Sequence, residues 1–252
     1  IDSSRPVGAA PEIPIAMVSH FLYGGRVEMM RFKKDLFNQQ YLNASAFDHV
    51  WTQEKVDEWS EQCGSGMLEG TYGTQHTRDL LDGLLTMSSI RDGHVLVIGS
   101  EQPWVEACLL YVGARMVTTL EYGNITSNHP RVQTMVPAEA RTKFADGTMP
   151  LFDAVVTYSS VEHSGLGRYG DALNPWGDLQ TMARAWCVTR PGGGLLLSVP
   201  AGQDRIQFNA HREYGPVMFS HLTANWIQES KHGMPYHPVL LFHKPTFRGH
   251  LH

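Results

Sequence analysis

Two textures of apolar and polar positions alternate along most of this chain, and together they predict its elements. Leu80, Leu81, Leu84 and Leu85 recur at helical spacing within residues 74–87, which follow the polar starters of a helix. Residues 94–98 are instead a short β-branched run, broken by Gly99-Ser100 before a second helical stretch at 104–112 that stops at Gly113. The same exchange continues with a strand over 116–120, an irregular region to Ala145-Asp146-Gly147, and a strand centred on Ala154, Val155 and Val156. A long glycine-punctuated loop, 164–178, leads to a helix over 179–187. The run Arg190-Pro191-Gly192-Gly193-Gly194 reads as a tight turn into a strand over 195–199. A helix near 216–224 and a last strand at 239–243 complete the pattern. Upstream, 27–37 and 53–62 have helical spacing, with Trp51, Val56 and Trp59 able to share one face, and the proline-bearing residues 1–15 read as an extended lead-in. Strands alternating with helices predict an α/β fold with a twisted, mainly parallel sheet.

In such a sheet the chemistry lies at the carboxyl ends of the strands. The stretch DAVVTYSSVEH, residues 153–163, is such an end: its buried run passes directly into Ser159, Ser160, Glu162 and His163. Glu121 ends the strand 116–120, roughly twenty residues after the first glycine turn, where a nucleoside-binding sheet places an acid for the ribose hydroxyls.

Composition narrows the partners. A net charge of −5 among 252 residues gives no general attraction for a phosphate backbone, which disfavours nucleic acid and favours a small molecule or glycan. No apolar run is long enough to span a bilayer. Three widely separated cysteines, Cys63, Cys108 and Cys187, allow at most one bridge and argue against a cysteine-based zinc site. The tripeptides Asn43-Ala44-Ser45 and Asn124-Ile125-Thr126 are glycosylation sequons, compatible with a secretory compartment such as the Golgi lumen; a cytoplasmic location is the alternative. The chain begins with Ile, which suggests that a native amino terminus, with or without an anchor, has been removed.

The motifs VLVIGS, Glu121, Ala145-Asp146-Gly147, DAVVTYSSVEH and RPGGGLLLSVP, in that order over residues 94–200, resemble those of class I S-adenosylmethionine-dependent methyltransferases. More narrowly, IGSEQPWVEACLL, TLEYG, SSVEHSGLGRYGD and FNAHREYG are similar to domain-of-unknown-function family 268, represented in nematodes. The resemblance implies a Rossmann-like, seven-stranded methyltransferase domain over 71–252, preceded by a partly helical extension over 1–70. It implies S-adenosyl-L-methionine as cofactor, held by Tyr72, Gly73, Gly99, Ser100, Glu101, Glu121, Tyr122, Asp146, Gly147 and Ser159. The first loop departs from the family pattern, because only Gly99 remains of its glycines and no acid precedes it. Glu101 is then either a substitute partner for the cofactor's ammonium or a solvated turn residue.

For the chemistry, His163 and Glu162 are the catalytic candidates. An imidazole with an ordinary pKa near ~6.5 can take the proton of an acceptor hydroxyl as that hydroxyl attacks the methyl group. In some methyltransferases these two positions, with a later histidine that corresponds to His211, hold a divalent metal. A carboxylate with two imidazoles suits Mn²⁺, Fe²⁺ or Zn²⁺ better than Mg²⁺. Hydrogen-bonded roles for all three are the third reading. Arg168, Asp171, Asn174, Trp176, Asn209 and Arg212 supply the hydrogen-bonding and aromatic groups that an acceptor such as a sugar requires. The expected activity is O-methylation of a small molecule or glycan, and the competing expectation is a non-catalytic methyltransferase-like binding or scaffold domain.

Overall fold

A computed structural model of the chain describes residues 13–31, 49–169 and 171–246. In chain order the elements are α1 Ile15–Phe21, β1 Glu28–Arg31, β2 His49–Trp51, α2 Gln53–Gly64, α3 Thr74–Thr86, β3 His94–Ile98 and α4 Trp104–Val112. Next come β4 Met116–Leu120, β5 Ile125–Ser127, β6 Val132–Met135, α5 Pro137–Ala145 and β7 Phe152–Tyr158, which ends in a 3-10 turn, Val161–His163. Then follow α6 Gly177–Val188, β8 Thr189–Ser198, β9 Arg205–Phe208, β10 His211–Glu213, α7 Pro216–Leu222, β11 Ile227–His232 and β12 Val239–His243.

Seven strands form the main sheet in the order β11-β12-β8-β7-β3-β4-β6. Its middle is parallel, while β12 runs antiparallel to both of its neighbours. Side chains of a strand alternate between faces, and the core divides accordingly. Val95, Val97, Ala154, Val156 and Leu196 pack with α2, α3 and α4 on one face. Leu96, Ile98, Val155, Leu195 and Leu197 pack with α1, α6 and α7 on the other. The order reverses at β3, with β4 on one side and β7 on the other, so the carboxyl ends of these three strands open the crevice that such sheets use for ligands.

Two small sheets brace this arrangement: β2 pairs parallel with β5, and β9 pairs with β1 and β10. A disulfide joins Cys63 of α2 to Cys108 of α4, the single bridge that three cysteines permit. Among the described residues no helix is long and apolar enough to cross a membrane.

Several expectations are corrected. The helix expected from residue 27 is the strand β1 where it is described, because Glu28–Arg31 finds a parallel partner in Arg205–Phe208 far along the chain; residues 32–48, with the Asn43 sequon, lie outside the described residues. The lead-in expected over 1–15 lies outside them up to residue 12, and Ile15 already opens α1. The irregular region before Gly147 contains β5, β6 and α5. The glycines after Arg190 belong to the strand β8, whose register with β7 shifts between Phe152 and Ala154.

Candidate functional site

The turn after β3 forms the first wall of the crevice. Gly99 has φ +77°, and a Cβ there would lie 1.9 Å from the Ser160 hydroxyl, so glycine is required both by backbone conformation and by the approach of the β7 end. The turn is held from below and from the side. The Ser100 hydroxyl lies 2.8 Å from the Gln102 carbonyl and 3.0 Å from Oε2 of Glu106, whose Oε1 accepts the Thr119 hydroxyl at 2.6 Å. Burial raises the Glu106 carboxyl to about 7. The single Ser100 proton can serve only one of its two acceptors, and a protonated Glu106 completes the chain by donating to Ser100 while Ser100 donates to Gln102. From the side, Lys55 of α2 donates to the Gln102 side chain at 2.6 Å, and the Trp51 indole donates to the Glu101 carbonyl at 3.3 Å.

Glu121 ends β4 beside this turn. Its carboxylate accepts the Tyr122 amide at 2.6 Å. Burial raises its pKa, and the amides of Tyr122, Ser100 and Gly123 oppose that rise. Two cavities meet at this residue. One, of about 310 Å³, is lined by Tyr72, Ser100, Glu101, Tyr158, His163 and Arg168 among others. The second, of about 530 Å³, is more apolar and runs between α5 and α6 over Leu96, Ile98, Leu120, Phe144 and Met149. Gly99, Glu121, Tyr122, Ser160 and Ser164 line both. A carboxylate at the junction of an apolar slot and a polar chamber suits a nucleoside whose base enters the slot and whose ribose hydroxyls meet the acid.

The far wall of the polar chamber comes from the end of β7. Ser159 takes φ +49°, a left-handed backbone uncommon outside glycine, and its hydroxyl donates to Glu162 Oε1 at 2.6 Å. Glu162 is fully buried, Oε2 has no hydrogen-bond partner, and burial lifts its carboxyl to about 7. His163 Nε2 lies 3.6 Å from Glu162 Oε1, and Nδ1 lies 2.5 Å from the Ala210 carbonyl. That carbonyl sits in the two-residue turn between β9 and β10, where Asn209 takes φ +62° as such turns require. Only an Nδ1–H can donate to it, so Nε2 carries the free lone pair. Burial, then the Arg168 charge, lowers His163 to about 3. Both members of the Glu162–His163 contact are therefore driven toward their neutral forms.

The expected metal set is not assembled. Among the described residues no three His, Cys, Asp or Glu side chains gather to hold an ion. Glu162 Oε1 accepts the Ser159 hydroxyl, His211 stands edge-on with its ring centroid 6.3 Å from that of His163, and the Arg168 cation, with NH1 3.3 Å from His163 Nδ1, lies beside them. These residues do not fit Mn²⁺, Fe²⁺, Zn²⁺ or Mg²⁺ as a ligand set.

Of the expected cofactor residues, Tyr72, Gly99, Ser100, Glu101, Glu121, Tyr122 and Ser159 line the polar chamber together. Gly73 caps the start of α3 and lines neither cavity. Asp146 and Gly147 also lie outside both cavities; the Asp146 carboxylate accepts the amide and hydroxyl of Thr148 and closes its own turn. On the acceptor side, Arg168 and Asp171 line the chamber, with Asp171 accepting the Gly165 amide at 2.6 Å. Asn174, Trp176, Asn209 and Arg212 line neither cavity. Asn174 and Trp176 sit in the outer loop, where Trp176 meets His20, and Asn209 is buried in the hairpin turn. Arg212 is buried completely: it pairs with Asp178 at 3.4 Å and donates to the carbonyls of Ser164 at 2.7 Å and Pro175 at 3.3 Å. Its role is to clamp the loop after His163, not to touch an acceptor.

Tyr158 was not expected in the chamber, yet it lines it, together with Tyr169 of the loop after β7. Tyr158 stacks on Tyr72 and on His237, meets Trp104 edge-on at 4.9 Å, and its hydroxyl lies 2.7 Å from His76 Nδ1. Tyr158 closes the buried run of β7, with Thr157 between it and Val156, so the sequence pattern marks it only as core.

The Rossmann-like fold, with its seven-stranded mainly parallel sheet, is the one found in class I S-adenosylmethionine-dependent methyltransferases. An O-methyltransferase family protein from Burkholderia thailandensis matches over 84% of this chain and 64% of its own, at 10% identity and TM-score 0.52. N-methyltransferase NodS from Bradyrhizobium japonicum matches 67% of this chain and 96% of its own at 14% identity and TM-score 0.43. A candidate S-adenosylmethionine-dependent methyltransferase from Streptococcus mutans matches 66% of this chain at 11% identity and TM-score 0.45, and the match spans 48% of that protein's length. By sequence, the chain belongs to the family described as Caenorhabditis protein of unknown function, DUF268, whose model matches residues 92–232. No curated protein matches the chain by sequence.

Proposed function

We propose that this chain is an S-adenosylmethionine-dependent O-methyltransferase acting on a hydroxyl of a small molecule or glycan. The observation that carries the reading is the position of Glu121, a carboxylate at the junction of an apolar slot and a polar chamber at the sheet's reversal point. When bound, the cofactor supplies an electrophilic methyl group. The slot between α5 and α6 would take the adenine, Glu121 the ribose hydroxyls, and the turn at Gly99, Ser100 and Glu101 the amino-acid end.

In the chamber, His163 is neutral at physiological pH because burial lowers its pKa to about 3. Its Nε2 lone pair is oriented by the Nδ1 bond to Ala210 and accepts the hydroxyl proton as the acceptor oxygen attacks. Glu162, 3.6 Å away, steadies the resulting imidazolium once its own carboxyl has ionised. Such a weak base gives a contribution at the low end of the usual ~10²–10⁴-fold. Tyr72, Tyr158 and Tyr169 offer flat faces of the kind that pack on a sugar or other ring, and Asp171 fixes the loop that carries Tyr169 and Arg168. The buried Cys63–Cys108 bridge and the exposed Asn124 sequon support an oxidising, secretory compartment for this activity.

The test is transfer of a labelled methyl group from S-adenosylmethionine to a panel of hydroxyl-bearing small molecules and glycans. Transfer that falls in His163→Ala supports the assignment. Donor binding without transfer to any member would instead support the non-catalytic reading, which the sparse glycines of the turn after β3 favour.

A further inference from the structure

Among the described residues, the carboxylates of the polar chamber have partners, whereas its one guanidinium has most of its hydrogen-bonding capacity unmet. Glu121 is held by backbone amides, Asp171 accepts the amides of Gly165 and Tyr169, and Glu101 faces His49 at 3.6 Å. Arg168 is the one Arg or Lys among the described residues that line this chamber. Among the described residues its guanidinium forms no ion pair with a carboxylate; it lies over the Tyr169 ring, 5.3 Å from the centroid. Nε is buried without any hydrogen-bond partner, and NH1 reaches the Ala210 carbonyl only at 3.5 Å. The 3.3 Å approach of NH1 to His163 Nδ1 sets two donors against each other, because Nδ1–H is committed to Ala210, so it satisfies neither. A guanidinium carries five N–H donors in a planar fork matched to carboxylate geometry, and leaving a buried one unmatched is costly.

The opposite wall shows what such a fork is needed for. In the turn between β3 and α4, the Gly99 amide goes to the Leu120 carbonyl and the Trp104 amide to the Gln102 carbonyl. The Ser100 amide points to the Glu121 carboxylate, and Pro103 has no N–H. At most two amides of the turn, those of Glu101 and Gln102, remain for a ligand, and the side chain placed there, Glu101, is itself an acid. This wall suits an ammonium and repels a carboxylate.

We propose that Arg168 receives the carboxylate of the methyl donor's amino-acid end, in place of the backbone amides that the turn after β3 no longer offers. The inference rests on the donor reading given above. It makes the loop between β7 and α6 part of the donor site: Asp171 holds the loop through Gly165 and Tyr169, and Arg212 clamps its base at Ser164. Arg168 then closes over the zwitterion opposite Glu101, with the ammonium and carboxylate of one ligand matched to two walls.

The experiment is a binding cycle by calorimetry with the intact chain. S-adenosylmethionine is compared with its decarboxylated analogue, which keeps the sulfonium and the amine, on wild type, Arg168→Gln and Arg168→Lys, with thermal unfolding as the control for folding. The expected result is a loss of about 10- to 100-fold for S-adenosylmethionine in Arg168→Gln, the scale of a charge-assisted hydrogen-bonded pair, with less than about threefold for the analogue and an intermediate loss in Arg168→Lys. Equal affinity of wild type and Arg168→Gln for S-adenosylmethionine would overturn the proposal, leave the donor site standing and return Arg168 to the acceptor. Equal weakening of both ligands would overturn it as well, by showing that the residue acts through loop shape. Wild type that binds neither ligand would overturn the donor reading itself.

Discussion

Replacing Glu121 by glutamine probes the junction of the two cavities with the least change of shape. In wild type the carboxylate already accepts the Tyr122 amide at 2.6 Å on one oxygen, with the amides of Ser100 and Gly123 also directed to it, so its hydrogen bonds from the protein all come from backbone amides. Glutamine keeps one acceptor oxygen and turns the other position into an NH₂ that must face either an amide donor or the ligand. The ribose therefore loses about one charge-assisted hydrogen bond, while the second weakens as the charge disappears. At about 1.5–3 kcal/mol for a hydrogen bond to a charged group, the loss is about 2–3 kcal/mol, or roughly 30- to 150-fold in affinity. Calorimetric titration of S-adenosylhomocysteine and of adenosine into wild type and Glu121→Gln measures it, and adenosine isolates the contribution because it lacks the amino-acid end. Both ligands should weaken by the same factor. A Glu121→Gln protein that unfolds like wild type and binds both within threefold of it would refute the placement of the ribose.

Other consequences follow from the same geometry. His163→Ala should reduce methyl transfer by about 10²-fold while changing donor affinity little, which single-turnover rates and calorimetry separate. Glu106→Gln should alter the pH dependence of stability. The folded-state carboxyl is raised from 4.5 to about 7, so its stabilising contribution is complete below about pH 4.5 and lost as pH rises through 7. The stability of wild type relative to Glu106→Gln should therefore fall by about 3 kcal/mol between pH 4.5 and 8 in urea titrations, and a flat difference would refute a buried protonated acid. Opening the Cys63–Cys108 bridge, which spans 45 residues, should cost about 4 kcal/mol on the loop-entropy estimate, read as a lower urea midpoint for the double Cys→Ser protein. Arg212→Met should destabilise the fold by about 3–5 kcal/mol, because it leaves Asp178 buried without its cation; a wild-type midpoint with a raised acceptor KM would contradict its clamping role.

How much of this was legible in the sequence depended on whether burial imposed a period. Strands β3, β4, β7 and β12 and helices α3 and α4 were readable because each contributes apolar side chains to a core face and ends in glycine or a polar cluster. Helix α5 was not readable, since none of its residues is buried and it has no apolar stripe to display. Strand β11 was hidden for a related reason: it lies at the sheet edge, and no residue of Ile227–His232 is fully buried. Strand β1 exists through its long-range pairing with β9, which no local pattern encodes.

At the site, the placement of Glu121 and of the β7 end on the crevice was legible, because the carboxyl ends of the strands of an α/β sheet line its crevice. Arg212 was misplaced among the acceptor residues, since a buried ion pair and a binding arginine look alike in sequence; only the position of Asp178 and the loop carbonyls distinguishes them. The metal set failed similarly. Glu162, His163 and His211 have ligand-forming side chains, but among the described residues they do not converge as a set of three and the Arg168 cation lies beside them.

The most direct test of the central claim is calorimetric titration of S-adenosylhomocysteine into the wild-type chain. The account predicts saturable one-to-one binding that adenosine displaces and Glu121→Gln weakens. Folded protein that takes up no ligand at about 1 mM, the concentration at which even a 4 kcal/mol interaction is half-saturated, would contradict it.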